Sequence, residues 1–69
     1  MPKFKQNLQL DATLVHAATK GLFVPCAIGL GLTADEAWHR ADWLKHQPEA
    51  YIIQVSDRVV EMENREVKE

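Results

Sequence analysis

Apolar and polar residues alternate at the start of the chain: Phe4, Leu8 and Leu10 stand between Lys5, Asn7 and Gln9, with one polar lapse at Gln6. A period of two puts alternate side chains on one face of a strand, so the pattern predicts an N-terminal strand at about 3–10. Asp11 then occupies an N-cap position before ATLVHAATK, and Gly21 follows. These start and stop signals predict a short helix over 11–20, although the alternation through Ala12 and Leu14 also permits a longer strand. The run LFVPCAIGLGL, residues 22–32, is core material either as a short helical turn opened by Pro25 or as a buried strand.

The clearest element begins at Thr33. Thr33 and Glu36 have capping-box spacing, and Leu32 and Ala37 stand at hydrophobic-staple positions. Ala34, Ala37, Trp38, Ala41 and Leu44 share one side at 100° per residue, and Pro48 ends the run, which predicts a helix over 33–46. AYIIQV reads as a strand from its aromatic and β-branched residues. RVVEM either extends it as a hairpin, placing strand structure at about 50–62, or begins a terminal helix capped by Asp57. The expected fold class is α+β in a single small domain, 1–69, with a mobile charged tail at about 63–69, where apolar residues become scarce.

Composition narrows the function classes. Eight Lys plus Arg against ten Asp plus Glu give a net charge of −2, so no excess of positive charge is available to grip a nucleic-acid backbone. The longest apolar run is short of the roughly 20 residues a membrane helix needs and is broken by Pro25, Gly29 and Gly31. MPKFKQNLQL lacks the apolar stretch of a secretory signal, and the lone Cys26 excludes an intrachain disulfide. Together these favour a cytoplasmic location without membrane attachment.

Candidate chemistry is thin. Asp35, His39, Asp42 and His46 form a row along the 33–46 helix, but one row cannot close a tetrahedral metal site and reads as a solvated face. Gly29 to Ala34 satisfies a G-x-G-x-x-A pattern, yet a chain of 69 residues lacks the rest of the sheet that would form a dinucleotide crevice. No metal or cofactor is expected. Ser56 has no nucleophile-elbow context, Cys26 sits among apolar neighbours, and Glu61, Glu63 and Glu66 lie in the tail, so no catalytic residue is assigned.

The two tryptophans separate on the helical wheel. Trp38 falls in the alanine stripe and is expected in the core, whereas Trp43 lies about 180° from Ala34 and is expected on the outside, where aromatics serve as binding anchors. Trp43, with Arg40, His39, His46 and Glu36, is the candidate partner-binding surface. The expected function is a non-enzymatic protein-binding module, a regulator or inhibitor of a larger partner protein, in a format common among accessory proteins of phages and mobile elements. Self-association as a homodimer is expected because chains below about 70–80 residues gain little from a single core. The alternative is a small DNA-binding regulator, with helices 11–20 and 33–46 as a degenerate helix-turn-helix.

Overall fold

A computed structural model describes residues 4–67 of the chain. Four helices follow one another: α1 (Leu8–Thr19), α2 (Phe23–Gly29), α3 (Ala34–Lys45) and α4 (Glu49–Val67). Among the described residues there is no strand, so the α+β expectation is corrected to an all-α fold.

The strand expected at 3–10 is replaced by an extended lead-in and the first turn of α1; Lys3 lies outside the described residues. Asn7, not Asp11, caps α1, its side chain accepting from the Leu10 N–H at 3.1 Å. Two interlocked apolar faces on α1 explain the false period of two. Leu8, Ala12 and Val15 pack toward α4, while Leu10 and Leu14 pack toward α2 and α3. Each set follows the helical spacing of three or four, and superimposed they read as alternation.

The strand or hairpin expected at 50–62 is the first two-thirds of α4, and the described part of the tail, through residue 67, continues that helix; residues 68–69 lie outside the described range. Tyr51, Val55 and Val59 are buried at intervals of four and Met62 packs beside them, forming a helical stripe against Ala12 of α1. Burial of that stripe outweighs the β propensity of Ile52, Ile53, Val59 and Val60, since differences in intrinsic preference are only tenths of a kcal/mol per residue. The Pro48 carbonyl accepts the first bonds of α4, from the Tyr51 N–H at 3.0 Å and the Ile52 N–H at 3.2 Å.

Glycines make the two tight connections. Gly21 and Gly31 have φ of 73° and 92°, a region that side chains with a Cβ rarely enter. After α1, the Leu22 N–H reaches the Ala17 carbonyl at 2.9 Å and the Gly21 N–H reaches Ala18 at 3.1 Å. After α2, Leu32 reaches Ala27 at 2.9 Å and Gly31 reaches Ile28 at 3.0 Å. Both are Schellman closures, and each turns the chain within a few residues. Thr33 then opens α3 with the expected reciprocal box: its Oγ1 accepts from the Glu36 N–H at 3.1 Å, and the Glu36 carboxylate accepts from the Thr33 N–H at 2.9 Å.

The core is divided accordingly. Ala12, Tyr51, Val55 and Val59 form one cluster between α1 and α4, and Leu14, Ala27 and Ala37 form a second between α1, α2 and α3.

A candidate interaction groove beside a buried ion pair

The inner face of α3 is rotated from the one the alanine stripe predicts. Ala37 and Arg40 are buried, and Trp38 is 59% exposed. The rotation amounts to somewhat less than one residue's step of about 100°, and its cause is the side chain of Arg40. Arg40 Nε donates to Asp11 Oδ1 at 2.6 Å, and Arg40 Nη2 donates to the Lys5 carbonyl at 2.8 Å. Asp11 is 1% exposed and also accepts from the Tyr51 hydroxyl. The guanidinium lies 4.8 Å from the ring centroid of Trp43 and 5.7 Å from that of Phe4, within cation–π range of both.

Two charges this deeply buried are tolerable because each is paired and hydrogen-bonded, so removing either would strand the other in a medium of low polarity. Tyr51 registers the same environment. Burial, followed by the adjacent Asp11 carboxylate, pushes its pKa up from 10.0 to about 12. A second polar link ties the ends of α1 and α4, where Lys20 pairs with Glu66 and holds the Glu66 carboxyl below its usual range. His16 Nε2 lies 3.6 Å from the same carboxylate.

Trp43 is therefore turned inward, half-buried against Phe4 (centroids 5.7 Å apart) and Tyr51 (6.5 Å). The exposure expected of Trp43 and the burial expected of Trp38 are exchanged. Of the other residues grouped with Trp43, Arg40 is buried in the ion pair, Glu36 is engaged in the α3 capping box, and His46 is the exposed C-cap of α3, with Nδ1 3.0 Å from the Asp42 carbonyl oxygen. His39 is exposed midway along the helix. The five lie along one flank of α3, but Arg40 and Trp43 are drawn into the protein while Glu36, His39 and His46 remain at its surface.

What the rotation opens is a groove between α1, α2 and α3 with a volume of about 510 Å³. Its walls are apolar, including Leu14, Phe23, Val24, Trp38, Ala41 and Leu44, and Asp11 and Arg40 contribute to its lining. Phe23 and Trp38 form an aromatic edge, centroids 4.9 Å apart and planes inclined by 48°. Trp38 is followed four residues later by the exposed Asp42 and preceded three residues earlier by the exposed Asp35, so two of its four neighbours on the helix surface are acidic, beside Ala34 and Ala41.

The sequence pattern marks neither Phe23 nor Trp38 as a binding residue, and it does not bring Asp11, Arg40 and Tyr51 together. A signal for the cluster was present: Arg40 stands three residues after Ala37 and four before Leu44, on the inner side of the helix, and Asp11 interrupts an apolar run.

Among the described residues, no group of three or more His, Cys, Asp and Glu side chains is placed to hold a metal ion, and no helix is long and apolar enough to cross a membrane. Gly29 to Ala34 joins two helices, without the preceding strand that the dinucleotide-binding pattern requires. Compared with known protein families, curated proteins and solved structures, the chain matches none.

Proposed function

We propose that this chain is a non-enzymatic, cytoplasmic protein-binding module that regulates a larger protein by taking one of its segments into the α1–α2–α3 groove. The observation that carries the reading is Trp38, a large aromatic left 59% exposed over Phe23 at the edge of an apolar groove. Exposing such a ring contributes nothing to folding, and aromatic anchors in pockets dominate binding energies between proteins. Asp35 and Asp42 define the complementary chemistry: an apolar side chain for the groove, flanked by Lys or Arg for its acidic edge. In this proposal His39 contacts the flank of the bound segment, Arg40 shapes the groove, and Trp43 holds Arg40 in place, while Glu36 and His46 maintain the ends of α3.

The test is binding of the purified partner, identified by affinity capture from the native host, to the wild-type chain and to two variants. Trp38→Ala should weaken binding by more than about 2 kcal/mol, as expected for a hot spot. Asp35→Asn with Asp42→Asn should slow association and reduce its dependence on salt. Equal affinity of all three chains would overturn the reading.

One observation favours DNA binding as a second reading. α2 and α3 are joined by four residues, 30–33, with Gly31 at the turn, which is the connection of a helix-turn-helix. The pair differs from the one the sequence suggested, since α2 takes the place of helix 11–20. Against it stand the exposed acids of α3, which would face phosphates. Salt-sensitive binding of duplex DNA at low ionic strength, lost on substitution of Lys45, would select this reading over the first.

A further inference from the structure

We infer that the segment taken into the α1–α2–α3 groove is an amphipathic α-helix with a basic flank, which rests on the reading of this groove as the partner-binding site. The two long walls of the groove are α1 from Asp11 to Ala18 and α3 from Trp38 to Leu44, each about 10 Å along the helix axis. Along both walls the backbone N–H and C=O groups are bonded within their own helices or end turns. Among the described residues there is no strand, so no sheet edge is present for a peptide to extend.

A bound segment has to satisfy its own backbone. The polar side chains in the lining are Asp11, Arg40 and the indole of Trp38. Asp11 already accepts from Arg40 and Tyr51, and Arg40 donates to Asp11 and to the Lys5 carbonyl, so the two charges are engaged with each other rather than with an occupant. The Trp38 N–H can serve one carbonyl. An extended segment would set its wall-facing amides against Leu14, Val24, Ala41 and Leu44 without partners, and each buried amide left unbonded is costly. A helix bonds its amides internally and offers the walls only side chains, which is the form of chain that an apolar groove between helices accepts.

The rim sets the charge of that helix. Around α3, at 100° per residue, Leu44, Ala41 and Trp38 run from the groove outward, and Asp42 and Asp35 follow on the solvent side of Trp38. The two acids stand seven residues apart, about 10 Å along the axis, and Lys45 lies past Leu44 at the end of the groove. A helix laid along α3 repeats the same spacing. Lys or Arg side chains seven residues apart on its flank meet Asp42 and Asp35, while apolar residues at steps of three and four on the adjoining face fill the groove beside Trp38 and Phe23. An acidic flank would set like charges against this rim.

Selection against the full chain from a random library of peptides about 16 residues long, enough for four helical turns, tests the inference. Enriched peptides should carry apolar residues at steps of three and four with Lys or Arg on one flank. Synthesised singly, they should gain helical circular dichroism on binding and lose at least tenfold in affinity when a central polar residue is replaced by proline. They should bind the Trp38→Ala chain at least tenfold more weakly, and Asp35→Asn with Asp42→Asn should reduce the salt dependence of binding. Enriched peptides that depend on Trp38 but alternate in period two, tolerate the proline or carry an acidic flank would overturn the helix while leaving the groove reading in place. A library that yields no binder, or only peptides that bind Trp38→Ala as tightly as the wild type, would overturn both.

Discussion

The α1–α4 half and the α2–α3 half of this protein are built on opposite terms. Between α1 and α4, Ala12, Tyr51, Val55 and Val59 are closed in, the buried Asp11 joins Tyr51 to Arg40, and Lys20 with Glu66 secures the far end. Around α2 and α3 the buried apolar residues are Leu14, Ala27 and Ala37, and the large apolar side chains Leu22, Ile28, Leu30 and Trp38 are each about half exposed, against Ile53 and Val60 on α4. A small chain has enough apolar residues to complete one core. Here the helix pair with the longer stripe receives it, and the remaining apolar surface is available for contacts between molecules.

The most severe way to break this division is at Arg40. Arg40→Met leaves Asp11 buried without its cation and should cost about 3–5 kcal/mol in urea denaturation, whereas Asp11→Leu combined with Arg40→Met should recover most of the loss. A single-variant loss below about 1 kcal/mol would remove the ion pair from the interactions that hold α3 to α1.

Tyr51→Phe should cost about 1.5–3 kcal/mol at neutral pH, the value of a hydrogen bond to a charged group. It also carries a pH signature. The unfolded chain releases the Tyr51 proton near pH 10 and the folded chain near 12, so this contribution to stability is complete below pH 10 and is lost as pH rises to 12. At about 1.4 kcal/mol per unit, roughly 2 kcal/mol should disappear across that window in the wild type, and this component should be absent from Tyr51→Phe. Tyr51 is the single tyrosine, so ultraviolet absorbance of tyrosinate reports its titration directly.

Thr33→Ala removes the Oγ1 that accepts from Glu36 and should cost about 0.5–2 kcal/mol. The urea midpoint should fall while partner binding survives, because the box organises the start of α3 rather than the groove. An unchanged midpoint would show that α3 is held by Arg40 alone.

The smallest effect on stability sharpens the comparison most. Trp38→Ala should cost about 0.5–1.5 kcal/mol, the value of its contact with Phe23. Trp43→Ala takes away the ring beneath Arg40 and should cost several times more. If the two variants unfold at the same urea concentration, Trp38 belongs to the core and the contrast between the halves fails.

Local chemistry made parts of this fold legible in advance. Thr33 and Glu36 announce the start of α3 because both members of the box lie within four residues, and Gly21 marks the end of α1 because a left-handed residue there excludes most side chains. Short windows of sequence hide the longer period of α4. AYIIQV resembles a strand over six residues, and its helical stripe emerges only when Val59 and Met62 are included.

The sequence by itself determined the capping box of α3, the stop at Gly21, the apolar character of residues 21–34, the near balance of charge and the helical span of α3. These depend on neighbours in the chain. The tertiary structure alone decided that the fold is all-α, that Asp11 meets Arg40 across 29 positions, and that Trp43 turns inward while Trp38 turns out. The physical reason lies in the α3 wheel. The wheel sets Trp38 with the alanine stripe and Trp43 and Leu44 beside Arg40, so each of two faces carries a tryptophan and periodicity does not choose between them. The choice falls to Arg40, whose charge is tolerated inside only against the Asp11 carboxylate, and that partner is supplied by another helix.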